Sequence, residues 1–323
     1  MAMYDAIKNF HTQFKFEPVI ENQRNWKKFD KFVVAGMGGS HLAADLLRVW
    51  NPQLDLFVHK DYGLPSPFNE DLRGRLIIAS SYSGNTEEAI DAYDTARKQN
   101  MSVAAVSIGE KLLEIAKRDG VPYIRMPDTG IQPRSALGFS FKSILKLMGE
   151  ERALQEVSQL AAGFNAADYE GEGKKLASRL EGFVPVIYAS CRNQAIAYTW
   201  KIKFNETGKI PAFWNVFPEL NHNEMTGFDA KESTRSLSAN YYFIILRDQE
   251  DNPRILKRME AVAGLLRDRK FPVEVLELRG QTVFHRIFSS LVLADWASFY
   301  IAEQYGVEAE QVPMVEELKK LIA

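Results

Sequence analysis

Arg75-Leu76-Ile77-Ile78-Ala79-Ser80-Ser81-Tyr82-Ser83-Gly84-Asn85-Thr86 is the stretch that decides how this chain folds. Leu76 to Ala79 is an apolar run of strand length, and it passes without a break into a hydroxyl-rich turn. A helix is expected behind that turn, with Thr86 at its start and Glu87 and Glu88 in a first turn that favours negative charge. A buried strand, a polar turn and a helix in that order form the repeating unit of a parallel α/β sheet. The turn also carries chemistry. Ser81, Ser83 and Thr86 offer neutral hydroxyl donors, Gly84 gives the backbone freedom, and the helix end adds N–H groups and partial positive charge. Together they form a cup for a phosphate, so a small phosphorylated ligand is expected.

The same alternation extends in both directions. Lys31-Phe32-Val33-Val34-Ala35 reads as a strand that ends in Gly36-Met37-Gly38-Gly39-Ser40, and helical periodicity follows over 42–50. Further strands are expected at 54–58, 76–79, 102–106 and 121–125, with helices at 86–99 and 134–148. Residues 4–28 read as an N-terminal helix with an irregular lead-in. The charged, Ala-rich stretch 149–180 reads as helices linking two halves. Strands at 184–189, 240–246 and 273–278 then alternate with helices running to about Phe204 and over 252–270 and 284–305. The expected fold is α/β, with two flavodoxin-like subdomains (1–152 and 153–323), each a parallel five-stranded sheet with helices on both faces. Such duplicated units bind ligands at the carboxyl ends of strands, near the cleft between halves.

Composition narrows the function. The chain has 323 residues, 46% hydrophobic and 25% charged, with a formal net charge of -2. That is the profile of a soluble globular protein of two domains. No charge excess points to nucleic acid or to an acidic membrane surface. The single cysteine, Cys191, rules out an internal disulfide and a zinc site built on clustered cysteines. No apolar stretch approaches the roughly 20 residues needed to span a bilayer, and the N-terminus lacks the pattern of a signal peptide. A cytoplasmic location is expected, with no nucleic-acid or membrane partner.

The glycine-rich turn at 36–40 invites comparison with a dinucleotide fingerprint. The G-x-G-x-x-G pattern would need a glycine at position 41, which is His41, and no acidic residue ends the second strand to hold a ribose. A tight strand–helix turn is the plain alternative. Because the hydroxyl cup follows another strand of the same half, the favoured reading is a second phosphosugar contact through the backbone of Gly38 and Gly39 and the hydroxyl of Ser40.

These two turns resemble the sugar isomerase (SIS) domain. Gln132-Pro133-Arg134-Ser135-Ala136-Leu137-Gly138, Asn205-Glu206-Thr207-Gly208-Lys209 and Glu219-Leu220-Asn221-His222-Asn223-Glu224 extend that resemblance to the bifunctional phosphoglucose/phosphomannose isomerases. It covers nearly the whole chain, and the motifs stand in the expected order. It implies interconversion of glucose 6-phosphate and fructose 6-phosphate, with mannose 6-phosphate as a further substrate, through a cis-enediol and without a metal or organic cofactor.

Moving a carbonyl between C1 and C2 requires ring opening, a base, stabilisation of the enediolate and an anchor for the phosphate. Taken alone, Glu206 would most often be a solvated surface glutamate. The resemblance makes it the base, and a partly desolvated carboxylate near a helix end suits proton shuttling. His222, one of five histidines, suits ring opening, and a hydrogen-bonded loop histidine is the plain alternative. The resemblance implies that the neighbouring subunit offers it, hence a homodimer with composite sites. Between the two lies the aromatic, proline-bearing stretch 211–218, read as a loop that excludes water. Arg134, expected to open a helix after Pro133, can stabilise the enediolate. A cation is unfavourable at a helix N-terminus unless an anion is near, which weakens the reading of an ordinary surface arginine. The resemblance also places a ring-opening lysine on the C-terminal helix, where Lys319 fits better than Lys320. One departure stands out. Relatives of dual specificity tend to carry threonine just before the C-terminal proline, and this chain has Val312, which keeps the volume and drops the hydroxyl. Turnover of mannose 6-phosphate is the expectation this departure weakens.

Two other readings compete. A non-catalytic phosphosugar sensor on the same fold would normally carry a DNA-binding module, and about 30 residues before the first strand are too few for one. A different phosphosugar isomerase, such as an amino-sugar enzyme, would be supported by a glutamine-hydrolysing domain, which the sequence does not contain.

Overall fold

A computed structural model describes residues 3–65, 72–229 and 231–322. Five strands carry the first half: β1 (Lys31–Ala35), β2 (Asp55–His59), β3 (Leu76–Ser80), β4 (Ser102–Ser107) and β5 (Tyr123–Arg125). They pair in parallel in the order β2-β1-β3-β4-β5. Helix α1 (Met3–Lys8) precedes this half, whose helices are α2 (Gly39–Trp50), α3 (Glu87–Lys98), α4 (Glu110–Arg118), α5 (Leu137–Met148), α6 (Glu151–Ser158) and α7 (Leu160–Gly163). Val33, Ile77 and Val103 pack with Ile90 and Tyr93 of α3 and Leu112 of α4 in one core. Their neighbours Phe32, Val34, Ile78 and Ala104 are equally buried, so both sheet faces are covered, which is why these strands read as unbroken apolar runs.

The second half has four strands among the described residues rather than the expected five. They are β6 (Val184–Ser190), β7 (Phe213–Phe217), β8 (Tyr241–Arg247) and β9 (Val273–Glu277), parallel throughout in the order β7-β6-β8-β9. Its helices are α8 (Glu170–Arg179), α9 (Gln194–Glu206), α10 (Glu224–Gly227), α11 (Pro253–Asp268), α12 (Val283–Tyr305) and α13 (Pro313–Ile322). The aromatic stretch expected to be a loop contains the edge strand β7. Its burial is partial, and Pro211 and Pro218 bracket it, so it lacks the apolar continuity that marks the inner strands. Apolar on nearly every face, α12 is buried along most of its length and packs on α8 and α9.

Two compact units result, Lys8–Asn165 and a second unit running from Ala166 that also takes in the residues of α1 up to Ile7. The expected division at 152 lies inside α6. Ala153, Leu154, Val157 and Leu160 are buried, and α6 and α7 pack on the 3-10 turn Phe10–Lys15, which keeps them in the first unit. In the second unit Tyr4 of α1 meets Trp296 edge to face and donates to Glu170. The expected N-terminal helix is therefore short, and two 3-10 turns, Phe10–Lys15 and Gln23–Asn25, follow it.

A tertiary contact also corrects the start of α5, expected at Arg134. Pro133–Ser135 is a 3-10 turn, and the helix begins at Leu137. Gln13 Oε1 accepts the N–H groups of Gly138 and Phe139 at 2.9 and 3.4 Å, and Gln13 Nε2 donates to Ser135 O at 2.6 Å. A buried side chain from far back in the chain thus takes up first-turn donors that a local residue would otherwise cap.

Candidate functional site

In the first unit the two turns singled out by sequence lie side by side, because β1 and β3 are neighbours in the sheet. Ser40 Oγ accepts the Tyr82 N–H at 2.8 Å, and Ser80 Oγ donates to Ser40 O at 2.9 Å. Within the 81–86 loop, Ser81 Oγ lies 2.7 Å from Thr86 Oγ1 and accepts the N–H groups of Gly84 at 3.0 Å and Thr86 at 3.3 Å. Ser40 and Ser81 are buried, Thr86 is half-buried and Ser83 is exposed. The loop therefore divides its hydroxyls by task. Ser40 and Ser81 build the turn, while Ser83 and Thr86 lie at its surface ahead of α3.

Gly84 has φ +82, and a Cβ there would lie 2.2 Å from Gly109 O. Only glycine allows both that backbone and that approach. Leu112 N donates to Gly84 O at 2.9 Å, and Ser107 Oγ donates to Tyr82 O at 3.2 Å, tying the loop to the neighbouring strand–helix turn. Burial first, and then the Asp128 charge, push the Tyr82 phenol up to about 12, so it stays neutral in this part of the unit.

Arg134 joins the same group. A Cβ on Gly39 would lie 2.7 Å from Arg134 N, so the glycine is what lets the Pro133–Ser135 turn press against the start of α2. Arg134 is 1% exposed. It sits in a 3-10 turn and not, as expected, at the opening of a helix. The first unit thus brings together Gly38, Gly39, Ser40, the 81–86 loop and Arg134, which were far apart in sequence.

The second unit holds the remaining candidates on three separate elements. Glu206, half-buried, is the last residue of α9. The 205–209 motif builds the turn behind it. Asn205 Nδ2 donates to Ile210 O at 2.9 Å, and the Thr207 and Gly208 N–H groups donate to Lys203 O at 2.9 and 3.2 Å. Lys209 takes the left-handed conformation (φ 55), and its Nζ donates to the carbonyls of both Glu206 and Gln311. This lysine ties the Glu206 turn to the segment that carries Val312. His222 is exposed in the turn after β7, and its N–H donates to Glu219 O at 2.9 Å. Lys319 is exposed on α13 and pairs with Glu316 at 2.7 Å.

Residues 169–322 match the family described as the bacterial phospho-glucose isomerase C-terminal SIS domain. A bifunctional phosphoglucose/phosphomannose isomerase from Caldicellulosiruptor bescii is 33% identical, over 99% of this chain and 94% of the relative. The chain belongs to the bifunctional phosphoglucose/phosphomannose isomerase family. A second member, from Aquifex aeolicus, is 30% identical over 98% of this chain and 97% of its own. In fold, this family member is similar to the C-terminal domain of glucosamine-fructose-6-phosphate aminotransferase from Francisella tularensis. The TM-score is 0.69 over 96% of each chain at 14% identity, a likeness of fold alone.

Sequence reasoning passed over several residues that hold these candidates in place. Glu224, quoted only as the end of a motif, anchors the His222 turn to the sheet. Tyr188 Oη of β6 donates to Glu224 Oε1 at 2.6 Å, and Asn215 Nδ2 of β7 donates to the other carboxylate oxygen. Burial first, and then that carboxylate, push the Tyr188 phenol well above its usual range, so it remains a donor. Lys203, one turn before Glu206 on α9, forms a buried ion pair with Asp295. The one available signal was a charged residue inside an apolar helical pattern, Asp295 in α12.

Proposed function

We propose that this chain is an aldose–ketose isomerase that interconverts glucose 6-phosphate and fructose 6-phosphate, and also takes mannose 6-phosphate. The observation that carries this reading is the meeting of the 38–40 turn, the 81–86 loop and the buried Arg134 in one unit, in a member of this isomerase family. A phosphate seated on Ser83, Thr86 and the first N–H groups of α3, with Gly38, Gly39, Ser40 and Ser81 shaping the cup, anchors the sugar by its unreactive end. Remote binding of that kind holds C1 and C2 in place for proton transfer.

In this reading His222 and Lys319 open the ring by moving a proton between the anomeric hydroxyl and the ring oxygen. The Glu206 carboxylate then takes the proton from C2, and the electron pair passes into a cis-enediolate. Arg134 stabilises that charge in a poorly hydrated setting. Glu206 returns the proton to C1 while the proton of the O2 hydroxyl passes to O1, giving the ketose, and the reverse path regenerates the aldose. His222 is offered by the second subunit of a homodimer. Its exposed position, and that of Phe213 at the start of edge strand β7, support the assembly. The protein works in the cytoplasm. No helix among the described residues is long and apolar enough to cross a membrane.

A coupled assay tests the activity, with fructose 6-phosphate supplied and glucose 6-phosphate and mannose 6-phosphate measured separately. Glu206→Gln is expected to lose over about a thousandfold in kcat and to keep KM within about threefold. Near wild-type turnover in that variant removes Glu206 from the role. Binding without any turnover in the wild type would favour a phosphosugar sensor instead.

A further inference from the structure

Lys203 and Asp295 face each other inside the second unit, Nζ to Oδ1 at 2.6 Å, with side chains 1% and 4% exposed. Lys203 stands one turn before Glu206 on α9, and Asp295 is in the buried part of α12. A buried ion pair is a weak source of stability, because losing hydration offsets most of the attraction, and well-packed apolar residues of similar volume often do as well or better. Its advantage is directional. An ammonium and a carboxylate at this distance fix a relative position that aliphatic side chains leave adjustable.

That direction is spent on the end of α9. The backbone carbonyl of the same Lys203 accepts two N–H groups, from Thr207 and Gly208, which close the turn just after Glu206. A Cβ on Gly208 would also lie 3.4 Å from Ser298 O, and Ser298 Oγ donates to Asp295 O at 3.0 Å. Asp295 and its helix thus meet the α9 terminus twice, once through the Lys203 ammonium and once through the backbone around Gly208. Two buried contacts, one turn apart, set how far α9 advances and how it is rotated at its last residue, which is Glu206.

We infer that the Lys203–Asp295 pair positions the Glu206 carboxylate for proton transfer, acting through the last turn of α9 rather than on the substrate. This inference rests on the reading of Glu206 as the base. A general base must lie within hydrogen-bond reach of the proton it takes, and a displacement of about 1 Å can cost on the order of a hundredfold in rate. The phosphate anchor belongs to other residues, so a displaced carboxylate lowers kcat and leaves KM alone.

The test compares wild type, Lys203→Met/Asp295→Leu and Glu206→Gln in one assay with fructose 6-phosphate, alongside thermal unfolding. The double variant is expected to unfold within about 3 °C of wild type or above it, to keep KM within about twofold, and to lose at least about tenfold in kcat. Wild-type kcat in the double variant overturns the inference, and so does a loss of kcat matched by an equal rise in KM. Should the double variant fail to fold, Asp295→Asn and Asp295→Ala carry the test. Asp295→Asn keeps an oxygen for Lys203 to donate to and is expected to retain at least about tenfold more kcat than Asp295→Ala at equal KM. Equal kcat in the two overturns the inference. Glu206→Gln separates the two levels: if it is active, the assignment of the base fails, and if it is inactive beside an active double variant, only the positioning role fails.

Discussion

Ser40 Oγ accepts the backbone N–H of Tyr82 at 2.8 Å, and both residues are buried. One hydroxyl thereby locks the turn after β1 to the loop after β3, so the two turns proposed to hold the phosphate are tied together. The contact is absent from any local pattern, yet it joins the two motifs that most strongly suggested a phosphosugar.

Removing that hydroxyl should loosen the cup before it affects chemistry. Ser40→Ala leaves the Tyr82 N–H buried without its acceptor, at a cost of about 1–3 kcal/mol. The expected result is a lower Tm, KM for fructose 6-phosphate raised roughly tenfold and kcat within about threefold. The exposed Ser83 gives the contrast. Ser83→Ala should raise KM a few-fold and leave Tm unchanged. Equal KM values for wild type and both variants would take the phosphate away from this loop.

The C-terminal helix offers a choice between neighbours. Lys319 is exposed and paired with Glu316, and an exposed pair contributes little to stability. Lys319→Met is therefore expected to keep the wild-type Tm while losing about tenfold or more in turnover of the cyclic substrate. Lys320→Met should remain near wild type. The opposite pattern moves the ring-opening role to Lys320, and two unaffected variants exclude α13 from the mechanism.

Specificity should respond to one hydroxyl. Val312 is half-buried, and its carbonyl accepts the N–H groups of Val315 and Glu316 at the start of α13. Val312→Thr keeps the side-chain shape and adds a donor and an acceptor. The ratio of mannose 6-phosphate to glucose 6-phosphate formed from fructose 6-phosphate should rise at least about threefold. An unchanged ratio shows that this position does not discriminate the C2 epimers.

Stability should carry a pH signature from the second unit. Asp251 is buried, and its Oδ1 accepts from Ser190 Oγ at 2.6 Å. Burial is the main influence and lifts its carboxyl above the usual range. The charge of Asp248 adds to the lift, while the Ser190 hydrogen bond opposes it. A raised folded-state pKa means the protonated form is favoured by folding, so its contribution is full below the unfolded value near 3.8 and disappears as pH climbs through the folded value. Asp251→Asn mimics the protonated form and keeps an acceptor for Ser190. Its Tm should match wild type near pH 4 and exceed it by roughly 1–3 °C at pH 7. A variant less stable than wild type at both pH values would show that the charge is not what strains this site.

Sequence alone determined the parallel α/β class, the inner strands and the two hydroxyl- and glycine-bearing turns that follow β1 and β3. Each rests on local rules: an apolar run of strand length, a break at glycine and hydroxyl residues, and a helix start marked by Thr86 and two glutamates. The motif at 205–209 stood out only by resemblance, and in the structure Asn205, Thr207, Gly208 and Lys209 each have a part in building its turn. Only tertiary structure decided the rest. The start of α5 depends on Gln13, the anchoring of the His222 turn on Tyr188 and Asn215, and the burial of Lys203 on Asp295. Edge strand β7 escaped notice because half-buried residues between prolines carry no clean period. Periodicity reports which side of an element is apolar, whereas capping and pairing across long sequence distances depend on which elements the fold sets side by side.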